Sequence, residues 1–134
     1  VISAYPAIRY WAIGGHSLGG SMAASYAIKN TEKVQGVVFW ASYPATGDDL
    51  SSISLKGLST YGSNDLVLDK DNFIETLALL PPGTIRQVIE GGNHAQFGNY
   101  GSQPGDGTAT ISAADQQTQA ADLTARLLRA IEGE

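Results

Sequence analysis

The chain has 134 residues, 43% of them hydrophobic and 16% charged, with a net charge of −5; this is enough apolar material for one core and too little length for two. Its eight Lys and Arg residues are scattered singly, which argues against nucleic acid, whose binders gather positive charge on one face. The absence of cysteine excludes a disulfide framework, a thiol nucleophile and a thiolate metal site, and no run approaches the roughly 18 apolar residues of a membrane span.

The first residues, Val1-Ile2-Ser3-Ala4-Tyr5-Pro6, have neither an initiator Met nor the basic opening of a signal peptide, so the start reads as cut and the compartment stays open. Tyr10 to Gly14 is a short run of β formers, and Gly14, Gly15, Gly19 and Gly20 punctuate the stretch after it; strand, then sharp turn, is expected. Met22, Ala23, Tyr26 and Ala27 then fall on helical spacing, ending at Lys29-Asn30. Val34 to Trp40 is almost continuously apolar, the pattern of a strand buried on both faces. Leu58 to Tyr61 is a weaker version. Asp71 to Leu80 spaces Phe73, Ile74, Leu77 and Leu80 as a helix, stopped by Pro81-Pro82-Gly83. Ile85, Val88 and Ile89 make a fourth strand ending at Gly91-Gly92. A last helix opens at Ser112, with Asp115 three residues on, and presents Ala120, Leu123, Leu127 and Ile131 down one face.

Continuous apolar strands alternating with amphipathic helices indicate an α/β fold, a parallel sheet of about four strands with helices on both faces and active residues where strands end. Two loops, Ser42 to Leu55 and Gly91 to Ile111, exceed the usual connection length, which marks them as functional or mobile. The second contains Pro104-Gly105-Asp106-Gly107, turn chemistry able to pin it in place.

Gly15-His16-Ser17-Leu18-Gly19 matches G-x-S-x-G. In a chain with 16 glycines the pattern alone is weak, but here it follows a strand and opens a helix, as a nucleophile elbow requires. The tight turn strains Ser17 and thrusts its hydroxyl clear, and close chain approach demands Gly15 and Gly19. The helix N-terminus offers the Leu18 amide to a developing oxyanion. A serine hydroxyl needs a base, and only His16 and His94 exist. His16 adjoins Ser17 and should point away from its hydroxyl, whereas His94, just past the fourth strand, sits on the edge where strand ends gather. The acid that orients the imidazole is best supplied by Asp65, after the third strand. Asp69 and Asp71 suit the start of the following helix, and Asp48, Asp49 and Asp106 read as solvated loop residues. The order Ser, Asp, His is that of the α/β-hydrolase arrangement.

These motifs, Gly14 to Gly20, Tyr61-Gly62-Ser63-Asn64-Asp65 and above all Gly91-Gly92-Asn93-His94-Ala95-Gln96-Phe97-Gly98-Asn99-Tyr100-Gly101, resemble the C-terminal half of a bacterial α/β-hydrolase of the dienelactone-hydrolase-like subgroup. The resemblance spans essentially all residues 1–134 and implies a single truncated domain, the family's first half being absent. By carry-over, Ser17 resembles the nucleophile, Asp65 the acid, His94 the base and the Leu18 amide one oxyanion donor. From their positions along the chain, His16, Tyr43 and Phe97 are expected to line the substrate, with Ser42 bordering the site or serving the core or loop. The second oxyanion amide of the family lies in the absent half, and losing such a donor typically costs about a hundredfold in rate.

The leading expectation is a serine hydrolase of small esters, working through an acyl-enzyme without cofactor or metal, since one His beside Asp65 is too few ligands and no phosphate loop precedes a Lys. The alternative is a catalytically weak fragment serving as a binding or assembly module. A flavodoxin-like receiver or nucleotide module is disfavoured by the lack of an acidic cluster at the first strand end. The strand Tyr10 to Gly14, with one neighbour missing, implies an open apolar edge and hence a homodimer or association with a missing N-terminal half.

Overall fold

The computed structural model describes residues 1–133. After a 3-10 turn at Ile2–Ala4, the order is β1 (Ala12–His16), α1 (Leu18–Lys29), β2 (Gly36–Trp40), β3 (Lys56–Gly62), α2 (Lys70–Thr76), β4 (Ile85–Ile89) and α3 (Ala113–Glu132). The four strands form one parallel sheet in the order β1-β2-β3-β4. No described helix is long and apolar enough to cross a membrane.

β2 explains why its sequence is unbroken in hydrophobicity. Val37 and Phe39 point into the core under α1, with Ala24, Ala27, Leu50, Leu55 and Leu80. Val38 points the other way, into the core under α3, with Leu58, Ile89, Ala120, Leu123 and Leu127. A strand clad on both faces cannot alternate with polar residues. The helix ends are set locally: Ser112 accepts the Asp115 amide at 3.0 Å at the start of α3, and Asp69 accepts the Asn72 amide at 3.1 Å at the start of α2, each satisfying an otherwise unpaired N–H.

Several boundaries differ from the sequence expectation: β2 begins at Gly36 rather than Val34, and β3 spans Lys56–Gly62 rather than Leu58 to Tyr61. β1 begins at Ala12 and runs through Gly14 and Gly15 to His16, so these glycines are strand residues and the turn is confined to Ser17. Their role is close packing, since a Cβ on Gly14 would lie 2.6 Å from that of Val38. The helix expected from Asp71 to Leu80 is α-helical only to Thr76 and finishes as a 3-10 turn at Leu77–Leu79. Leu80 precedes Pro81, which disfavours helical backbone, and is extended at ψ 153°.

β1 is hydrogen-bonded only to β2. Apolar side chains are exposed on the flanking helices: Leu18, Met22 and Tyr26, four residues apart on one face of α1, are 72%, 55% and 38% exposed, and Leu128 on α3 is 44% exposed, with Tyr26 and Leu128 lining clefts against β1.

Candidate active site

The carboxyl ends of β1, β3 and β4 converge because glycines let backbone touch backbone. A Cβ on Gly15 would lie 2.3 Å from the Gly19 carbonyl carbon, and one on Gly62 would lie 2.3 Å from that of Gly92. The first contact folds α1 tightly back on β1, leaving Ser17 at φ 54°, ψ −128°, a region costly for a residue with a side chain. Gly19 itself has open space where a Cβ would stand, whereas one on Gly20 would meet the Ser42 hydroxyl at 2.5 Å. The close approach expected at Gly19 is therefore carried by Gly20. Ser42 donates to the Ser17 carbonyl, and Ser21 donates to the Tyr43 carbonyl at 2.6 Å, so the loop leaving β2 clamps the elbow.

The second contact brings the loops after β3 and β4 together. The Asn64 amide donates to the Gly92 carbonyl at 2.8 Å and the Ser63 amide to that of Ile89 at 3.0 Å. Asp65, fully buried, accepts from the amides of Val67 and Leu68 at 2.9 and 2.8 Å through Oδ1. Its Oδ2 lies 2.8 Å from Nδ1 of His94, which is 2% exposed. The carboxylate fixes the imidazole with Nδ1 protonated, leaving Nε2 as the basic nitrogen. That Nε2 is buried without a hydrogen-bond partner among the described residues, and a cleft of about 250 Å³ has Ser17, Leu18, Ser42, Tyr43, Leu68 and His94 in its walls.

Tyr43 lines the same cleft as Ser17, and His16 and Phe97 do not. They line a separate cleft on the α3 side with Trp40, Tyr100 and Leu128. The reason is the alternation of β1: His16 and Ser17 leave the strand on opposite faces. His16 packs behind His94, ring centroids 4.5 Å apart, and against Phe97 and Tyr100 at 5.6 and 5.5 Å. Burial, and then the neighbouring His94, push the His16 imidazole below its ordinary value of 6.5, with Asp65, the His94 backbone and Asp106 opposing.

Two acids expected to be solvated loop residues are not. Asp48 accepts from the Ser25 hydroxyl on α1, and Asp106 accepts from the amides of His94 and Ala95 at 3.2 and 2.8 Å. Ala41, at φ 46°, carries no sequence signal. The Gly on each side of Asp106 is the visible sign that its loop is pinned. Asp69, at the rim of the cleft, keeps its expected capping role, and the Asn72 amide holds its carboxyl below the usual range.

The family profile described as Alpha/beta hydrolase family matches residues 1–118. The chain belongs to the α/β-hydrolase family. No curated protein sequence matches it. Among solved structures it is similar to that of a predicted CIB-like hydrolase from Thermoplasma acidophilum, at 24% identity and a TM-score of 0.57, over 69% of this chain and 45% of that one. The α/β-hydrolase chain thus spans less than half the length of the structure it matches, and the likeness confirms its parallel four-stranded sheet with flanking helices as an α/β-hydrolase-like fold.

Two measurements probe this geometry. Gly15→Ala is expected to destabilise the chain by about 3 kcal/mol, because its methyl meets backbone that cannot turn aside, while Gly19→Ala is neutral or stabilising by less than about 1 kcal/mol; denaturant midpoints check both. The lowered His16 pKa means that the unfolded chain binds more protons just below pH 6.5, so His16 costs stability as pH falls through that value. His16→Gln removes this contribution, and its loss of stability on going from about pH 7.5 to about pH 5.5 is expected to be smaller than the parent's.

Proposed function

We propose that the chain carries the nucleophile, acid and base of a serine hydrolase of small carboxylic esters. The observation that carries this reading is the buried 2.8 Å contact from Asp65 to His94 Nδ1, which leaves an unpartnered Nε2 beside the cleft that holds Ser17. Other buried nitrogens, including His16 Nε2, also lack partners, but among the histidines it is His94 that has a carboxylate on its opposite nitrogen and shares a cleft with Ser17. Catalytic hydrogen bonds are often loose before substrate binds.

In the proposed reaction, Ser17 Oγ attacks the ester carbonyl carbon as His94 Nε2 takes its proton. The oxyanion of the tetrahedral adduct faces the Leu18 amide at the N-terminus of α1. Collapse expels the alcohol, which leaves with the proton held on Nε2, and an acyl group remains on Ser17. Water then repeats the sequence on the acyl-enzyme and regenerates the serine. Asp65 stays ionised throughout, holding the tautomer and balancing the transient imidazolium. A cleft of about 250 Å³, walled by Leu68 and Tyr43, suits a short, uncharged acyl group.

A second reading, a weakly active binding module, is favoured by the edge of β1 left unpaired among the described residues. The two separate under a serine-directed fluorophosphonate and short p-nitrophenyl esters. Rapid labelling with turnover supports the hydrolase, and labelling without turnover supports the module. Ser17→Ala is expected to abolish both signals, and labelling retained at the wild-type rate on another serine would remove Ser17 as the nucleophile.

We also propose that a second copy of the chain covers the open edge of β1. Two β1 strands pairing about a two-fold axis would satisfy the free amides and carbonyls and bury Leu18, Met22, Tyr26 and Leu128 together. Light scattering at high micromolar concentration is expected to give twice the 14.0 kDa of the chain. A monodisperse monomer would overturn this, and a stable complex only with a separately supplied preceding segment would assign the edge to that segment.

A further inference from the structure

We propose that Asp106 is a positioning residue that sets His94 against Asp65, an inference that deepens the triad reading and rests on it. Asp106 stands in Gln103-Pro104-Gly105-Asp106-Gly107, a turn closed by its own amide donating to the Gln103 carbonyl at 3.2 Å, with Gly105 at φ +84°. Its carboxylate reaches three chain segments. Oδ1 accepts from the amides of His94 at 3.2 Å and Gly107 at 2.8 Å, and from Leu66 at a longer 3.5 Å. Oδ2 accepts from the Ala95 amide at 2.8 Å. No Lys or Arg pairs with Asp106 among the described residues, so its partners are backbone dipoles, and charge-assisted bonds of this kind are roughly twice as strong as neutral ones.

The two bonds to His94 and Ala95 grip the peptide groups on either side of the His94 Cα. They fix the direction in which its side chain leaves the backbone and cap the 3-10 turn Ala95–Phe97. The bond to Leu66 joins the same carboxylate to the residue after Asp65. One side chain that touches neither the imidazole nor the Asp65 carboxyl thus holds the backbones of both.

The surrounding contacts keep this carboxylate in place. A Cβ on Gly107 would lie 1.9 Å from the Asn64 carbonyl oxygen. Asn64 donates to the Thr108 carbonyl at 2.9 Å and Asn93 to the Gly107 carbonyl at 2.8 Å. On the far side, the fully buried Gln116 of α3 donates to the Asn93 carbonyl at 2.7 Å and accepts the Asn93 amide at 3.0 Å. The base-bearing segment is therefore held between α3 and the Asp106 turn.

The test compares Asp106→Ala and the isosteric Asp106→Asn with the parent by amide hydrogen exchange, fluorophosphonate labelling and ester kinetics. Asp106→Ala is expected to speed exchange at His94 and Ala95 by about tenfold or more, and to slow labelling and kcat by about ten- to a hundredfold, with KM within about twofold. Asp106→Asn, which keeps the Oδ1 acceptor but turns a donor toward the Ala95 amide, falls between and serves alone if the alanine variant does not fold. Unchanged exchange at both amides overturns the proposal. So does faster exchange spread evenly over the sheet, which marks general destabilisation, and so do labelling and kcat within about twofold of the parent despite local loosening. If the parent itself neither labels nor turns over, the triad reading fails separately, and exchange at His94 and Ala95 alone decides whether Asp106 holds that backbone.

Discussion

Everything at the carboxyl edge of this sheet depends on backbone packing against backbone at distances no Cβ permits. Gly15 against Gly19 and Gly62 against Gly92 are two such places, and Gly107 against the Asn64 carbonyl is a third. The first sets Ser17 in its strained conformation, and the second places the loop after β3 alongside the segment after β4. A side chain at Gly62 would press on the Gly92 backbone two residues before His94. The strain at Ser17, of order 1–3 kcal/mol, is offset by burial of α1 through Ala23, Ala24 and Ala27, small residues that let the helix lie close to the sheet.

That closeness determines what the buried polar groups must do. A fully buried carboxylate with no cation beside it is costly, and Asp65 is stabilised by two amides on one oxygen and an imidazole on the other. Both amides come from the residues two and three positions after it, so the turn that exposes them also buries the acid. Oδ1 is thereby committed to the backbone, which orients the carboxylate and leaves Oδ2 to meet His94 Nδ1.

The sheet was legible in the sequence because β2 and α3 carry strong one-dimensional patterns: five buried or half-buried residues in a row in one, and a cap with a 3.6-residue stripe in the other. Ser17, Asp65 and His94 were legible as positions because each follows a strand and parallel strands end on one edge. What escaped was what depends on contacts between segments distant in the chain. Gly19 looked essential because the motif contains it, yet the neighbour it was expected to accommodate presses on Gly20. Asp106 looked solvated because its chain neighbours are turn formers, and its partners lie twelve and forty residues away. His16 was expected to point away from the Ser17 hydroxyl, and the pleat of β1 sends it to the opposite face; Phe97, named with it as a lining residue, packs on that face from the 3-10 turn after β4.

The placement of His16 completes the electrostatics of the site. Two imidazoles with centroids 4.5 Å apart cannot both carry charge cheaply, since like charges at that range repel by about 4 kcal/mol at an effective dielectric near 20. In the proposed acylation His94 becomes the imidazolium, and Asp65 lies on its Nδ1 to stabilise it. His16 has no carboxylate bonded to its ring and is backed by Phe97 and Tyr100, so burial holds it neutral. The arrangement divides the labour of two histidines by environment alone: the one with an ionic partner can accept a proton, and the one packed among aromatic rings serves as an uncharged wall behind it. A cation at His16 would repel the proton that His94 has to receive, so the low proton affinity of the packed residue favours proton transfer to the partnered one.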